Sequence, residues 1–185
     1  MASRATDKGE DSAEAPGVDQ LAGKMLFAGL EREQLSRLRE VVRVRRVEAG
    51  AVIVREHDYG DALFLVHRGV VSVRVEVRDD VLGRSEQVEV ARWSGSREGD
   101  LCVNGDFFGE MCLLDLEPRS ATVVAVVPSE LWEINRDDLY WLFGDDKGLQ
   151  LRILMTIARV LGRRLGQSGR PVGADCGGDE DPGTG

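Results

Sequence analysis

The sequence is short of the residues that metal and disulfide chemistry require. Its three cysteines, Cys102, Cys112 and Cys176, lie far apart with no Cys-x-x-Cys pair. An odd, scattered set reads as free thiols in a reducing cytoplasm, not as a disulfide frame or a zinc site. His57 and His67 are the only histidines, too few for clustered imidazoles on a catalytic metal. No apolar run approaches the roughly 20 residues of a membrane span, and Met1 to Val18 holds no stretch suited to a secretory signal. Basic charge is also scarce: 24 Lys and Arg stand against 33 Asp and Glu, for a net charge of −9. Nucleic-acid phosphates demand a basic face, so general nucleic-acid binding is not expected. One basic pocket for a single anion remains compatible with that balance. Walker, Gly-x-Ser-x-Gly and His-Glu-x-x-His motifs are missing, which leaves no frame for the commoner hydrolases.

What is present is one domain with tails. Residues 1–18 are polar and acidic, and 168–185 are rich in Gly and Asp; both are expected to be disordered, leaving 19–167 as the ordered domain. Helical spacing is expected over 19–24 and 31–41, where Leu35, Leu38 and Val41 fall on one face and Glu31 and Glu33 suit the helix dipole. From Val42 the period becomes two, most clearly in Val71-Ser72-Val73-Arg74-Val75-Glu76-Val77. Strands are expected at 42–48, 51–56, 62–68, 71–78, 86–93, 120–127 and 129–135, with turns at Ala49-Gly50, Tyr59-Gly60-Asp61, Arg68-Gly69 and Pro128. Many short strands at this spacing indicate a barrel or sandwich. Helical period returns over 136–143, closed by Gly144, and over 147–166, where Leu149, Ile153, Ile157, Val160, Leu161 and Leu165 form one apolar stripe.

One stretch, Gly105 to Thr122, breaks the strand pattern. Gly109 allows close backbone approach, and a short helix starts after it, whose N-terminal amides would suit an anion. Pro118 stops the segment, and Arg119 follows with a guanidinium fork shaped for phosphate. Glu110 would repel a phosphate, but as an acceptor it suits a sugar hydroxyl. Read alone, Glu110 and Arg119 are as well an ordinary surface ion pair, Asp61 a turn residue before a strand, and Phe107 and Phe108 core.

The run Phe-Gly-Glu-Met-Cys-Leu-Leu-x-x-x-Pro-Arg-Ser-Ala-Thr-Val, from Phe108, resembles the phosphate-binding cassette of the cyclic nucleotide-binding domain family. Glu56 to Gly69 resembles a second signature of that family, and Met25 to Leu30 its lead-in, so the likeness covers nearly all of 20–166. The resemblance implies a mainly β fold: a β-roll or jelly-roll-like barrel with N-terminal helices and C-terminal lid helices. It implies a regulatory module that binds cyclic AMP or cyclic GMP, with cyclic AMP slightly favoured, and is not an enzyme. The ligand-binding residues would be Gly109, Glu110, Met111, Cys112, Arg119, Ser120 and Ala121. Glu110 would accept from the ribose 2′-OH, Arg119 would anchor the phosphate, amides near Cys112 and Ala121 would complete its cradle, and Asp61 would orient Arg119. A capping residue would come from Leu161, Arg164 or Leu165, and no metal or cofactor is implied. The sequence departs from the pattern at His57, where the family has glycine, at Cys112, where it has alanine, and in an insertion at 94–104. Helix 147–166 offers a homodimer surface, and the short tail after it points to a separate effector protein as the partner. The rival reading is a protein-interaction scaffold with an unoccupied or repurposed pocket.

Overall fold

The computed structural model describes residues 15–79, 83–95, 106–114 and 117–167. Residues 168–185 of the C-terminal tail, 1–14 of the N-terminal tail and 96–104 of the insertion lie outside the described residues. The chain opens with α1 (Val18–Ala22), a 3-10 turn (Met25–Phe27) and α2 (Arg32–Val41). Glu31 caps α2, and its amide donates to the Gln34 side chain at 3.0 Å. Eight strands follow among the described residues: β1 (Val42–Val47), β2 (Val52–Val54), β3 (Ala62–Arg68), β4 (Val70–Asp79), β5 (Arg84–Ser94), β6 (Phe107–Phe108), β7 (Thr122–Ala125) and β8 (Ser129–Asn135). A second 3-10 turn (Glu110–Leu113) sits between β6 and β7, and the described residues end in α3 (Arg136–Asp145) and α4 (Lys147–Gln167).

The strands form two four-stranded antiparallel sheets, in the orders β1-β8-β3-β6 and β2-β7-β4-β5. The expected β-roll with flanking helices is thus realised as two facing sheets. The continuous apolar run of β3 has a physical reason, because the strand is buried on both faces. Leu63 and Leu65 face the helices with Trp132, Leu139, Ile153 and Ile157, while Phe64 and Val66 pack between the sheets with Val71, Val123 and Leu131. Such a strand loses the alternation that β4 keeps.

The strands expected at 51–56 and 120–127 are shorter, at Val52–Val54 and Thr122–Ala125, and two further boundaries differ from the sequence reading. Phe107 and Phe108 are core, as their composition suggests, but they also pair with Leu65 and Phe64 as a two-residue strand. Gly144 does not end α3, which continues to Asp145. The break comes at Asp146, whose Oδ1 accepts from the Leu149 amide at 2.8 Å and so starts α4. Asn135 caps α3 in the same way through the Asp137 amide at 2.8 Å.

A buried ion pair ties the N-terminal lead-in to β6. Lys24 Nζ lies 3.2 Å from Asp106, donates to the Val66 carbonyl at 2.9 Å and sits over the Trp132 ring. Both partners are almost fully buried, at 4% and 1% exposure. His67 also stacks on Trp132, with ring centroids 4.4 Å apart. Burial first, then the Lys24 charge, push its pKa below the usual imidazole value.

Candidate functional site

The site forms where the 3-10 turn after β6 meets the start of β7 and the loop before β3. Gly109 is left-handed at φ +80, a conformation that costs an L side chain roughly 1–2 kcal/mol. Space excludes a side chain there as well. A Cβ would stand 2.8 Å from the Ala62 carbonyl oxygen and 2.6 Å from Arg119 Nη1. Gly60 is tight for a different reason: a Cβ there would lie 2.7 Å from Arg119 Nη2 and 2.8 Å from its Nε. The two glycines thus make the walls of a slot that holds one guanidinium.

Arg119 is fixed in that slot at both ends. Its amide donates to Asp58 O and its carbonyl accepts from the His57 amide, each at 2.8 Å. Its Nη1 donates to Gly109 O at 3.1 Å and its Nη2 to Ala62 O at 2.7 Å. His57 achieves this turn in the left-handed region, at φ +67, so the missing glycine is met by a strained histidine and the turn is kept. The expected partner Asp61 does not orient the arginine. Its side chain is exposed, its carbonyl accepts from the Arg136 amide, and among the described residues no carboxylate comes within ion-pair distance of Arg119. Two neutral carbonyls therefore position the guanidinium without cancelling its charge.

Glu110 follows Gly109 directly and is 5% exposed. Its Oε1 accepts from Arg164 Nη1 of α4 at 2.9 Å. Arg164 Nη2 also donates to the Phe107 carbonyl at 2.6 Å. Its guanidinium is centred 4.4 Å from the Trp93 ring and 5.2 Å from the Phe107 ring. Burial lowers the Arg164 pKa, opposed by the neighbouring Glu110 and Asp106 charges. Of the three candidates on α4, Arg164 hydrogen-bonds the cassette at Glu110, Leu161 packs against the cluster that holds Cys112 and Leu113, and the Leu165 side chain is exposed. Trp93 is the residue that sequence reasoning missed; Ala91 and Trp93 turn half-buried on the inner side of β5, so the period-two pattern carried the signal.

The remaining candidates divide. Cys112 is buried, and its thiol pKa is raised by that burial against the pull of Arg119 and Arg136. Its amide closes the 3-10 turn onto Gly109 O at 3.2 Å. Met111 and Ser120 are exposed, while Ala121 packs half-buried against the core between the sheets. Among the described residues no cluster of His, Cys, Asp and Glu is arranged to hold a metal, and no helix is long and apolar enough to cross a membrane.

Comparison with known proteins gives a consistent result. The family model described as "Cyclic nucleotide-binding domain" matches residues 44–146. The chain is 30% identical over 129 residues to a cGMP-dependent protein kinase of Caenorhabditis briggsae, covering 69% of this chain and 16% of that protein. It is 28% identical over 126 residues to the type II regulatory subunit of the cAMP-dependent protein kinase of Drosophila melanogaster, covering 68% of this chain and 28% of that one. Among solved structures, the catabolite activator protein of Thermus thermophilus superposes with a TM-score of 0.59 at 30% identity, over 78% of this chain and 60% of that one. The chain therefore spans under a third of the length of the two kinase relatives.

Proposed function

The chain belongs to the cyclic nucleotide-binding domain family, and from that premise we propose that it is a sensor module for cyclic AMP or cyclic GMP, held by Arg119 and Glu110. The observation that carries this reading is the uncancelled charge of Arg119 beside Glu110. The arginine is bound to the carbonyl of Gly109, and the next residue presents a buried carboxylate. A singly charged cyclic phosphate matches one guanidinium, and charge-assisted bonds to it are the strong kind. A ribose 2′-OH is a donor, which an ionised carboxylate accepts. Gly109 and Ala121 would line this ligand, and Met111, Cys112 and Ser120 would stand around it. Calorimetric titration with each nucleotide tests the reading. Saturable binding without turnover supports a sensor, turnover would reveal an enzyme, and no binding would favour the scaffold reading.

The output is proposed to pass to an effector protein, with α4 as a second surface. Beyond its core-facing stripe, α4 exposes Leu151 (63%), Met155 (53%) and Leu165 (77%). With exposed Ala158 and Gly162 these fall at alternating spacings of four and three, the seam of a coiled coil. Arg152 and Arg159 flank one side of this seam. Two antiparallel copies would set those arginines against each other, so a parallel homodimer is the proposed arrangement.

A further inference from the structure

The structure gives the Glu110 carboxylate a cation of its own, Arg164. A carboxylate that is 5% exposed is costly to keep ionised unless a charge and hydrogen bonds support it. Glu110 rides on a single 3-10 turn of four residues, which offers little rigidity. Arg164 supplies the support from α4, and it is itself immobilised. One nitrogen holds Glu110 Oε1, another holds the carbonyl of Phe107, and the planar group lies between the Trp93 and Phe107 rings. An arginine between two aromatic faces loses little further freedom when it bonds. Other charged groups near Glu110 act differently: Arg119 is committed to Ala62 O and Gly109 O, and Asp106 to Lys24.

We infer that Arg164 is the positioning residue for Glu110, so that reading of the ribose 2′-OH depends on the last turns of α4 being docked. The inference rests on the ribose role proposed for Glu110. It makes a helix end, fifty-four residues away in sequence, part of the sugar specificity. It also gives the pocket a link to α4: displacing the end of that helix withdraws the hydrogen-bond donor that aims the acceptor. A lysine at this position would keep a charge but not the two-pronged hold on Glu110 and Phe107 O. Methionine would keep the apolar stem between the rings and lose the cation.

The test compares dissociation constants for cyclic AMP and cyclic GMP with those for their 2′-deoxy counterparts, in the full chain and in Glu110→Gln, Arg164→Met and Arg164→Lys. The wild type is expected to favour the ribose form by about tenfold or more, the scale of one charge-assisted hydrogen bond. Glu110→Gln should reduce that ratio to within about threefold, Arg164→Met should do the same, and Arg164→Lys should restore part of it. A merely structural arginine would weaken ribose and deoxyribose ligands equally. An Arg164→Met protein with the wild-type ratio, while Glu110→Gln loses it, overturns the inference and leaves the function intact. A wild type that binds none of these nucleotides overturns both.

Discussion

Gly60→Ala is the sharpest probe of how the phosphate anchor is held. The backbone at Gly60 is outside the left-handed region, so alanine meets no conformational strain there. Its methyl group would instead stand 2.7 Å from Nη2, 2.8 Å from Nε and 3.1 Å from Cζ of Arg119. These atoms belong to the end of a flexible side chain, so the guanidinium moves rather than the backbone. The move breaks its bonds to Ala62 O and Gly109 O. A bond from a charged donor is worth roughly 1.5–3 kcal/mol, but the half-exposed group regains water. Alanine also stiffens the unfolded chain by about 0.4–1 kcal/mol in favour of folding. The net loss of stability should therefore be no more than about 1.5 kcal/mol, or some 2–6 °C in melting temperature for a domain of this size. Cyclic nucleotide affinity should fall by at least about tenfold, because the anchor no longer points at the phosphate. Gly109→Ala should cost more stability, since its methyl group meets the Ala62 carbonyl at 2.8 Å and φ is +80. Scanning calorimetry and titration calorimetry read the two effects separately. A Gly60→Ala protein that melts and binds like the wild type would refute the slot.

Two further outcomes are expected. The depressed His67 pKa means that the unfolded chain takes up a proton that the folded chain resists. Stability is then undiminished above about pH 6.5 and falls as pH drops below it, toward the lowered folded pKa. Each unit of depression is worth about 1.4 kcal/mol. His67→Phe keeps the stack on Trp132 and should flatten the melting profile between pH 7 and 5; equal slopes in the two proteins would contradict this. Met155→Glu should convert a concentration-dependent dimer to monomer in sedimentation equilibrium, and a wild type that is monomeric at all concentrations would dismiss the α4 seam.

Much of the β architecture was legible because β4 and β5 keep one face against the core, so alternation survives in Val71, Val73 and Ala91, Trp93. Where burial is two-sided or brief, as in Ala62–Val66 and Phe107–Phe108, the pattern vanishes and pairing must be seen. Glu110 and Arg119 were legible through their flanking motif. Their partners were not, for a physical reason. The carbonyls of Ala62 and Gly109 carry no side-chain signature, and only tertiary packing brings them to one guanidinium. Asp61 was expected in that role from the resemblance to the family, yet its side chain is exposed. Arg164 sits in a helix whose period marks Leu161 and Leu165 as strongly, and nothing in the spacing distinguishes it.

The most direct test of the central claim is titration of the wild type and Arg119→Ala with cyclic AMP and cyclic GMP. Saturable binding of one nucleotide, weakened in the variant by about 1.5–3 kcal/mol, the scale of a charged hydrogen bond, is the predicted result. Binding of equal strength in both proteins, or none in the wild type, would contradict it.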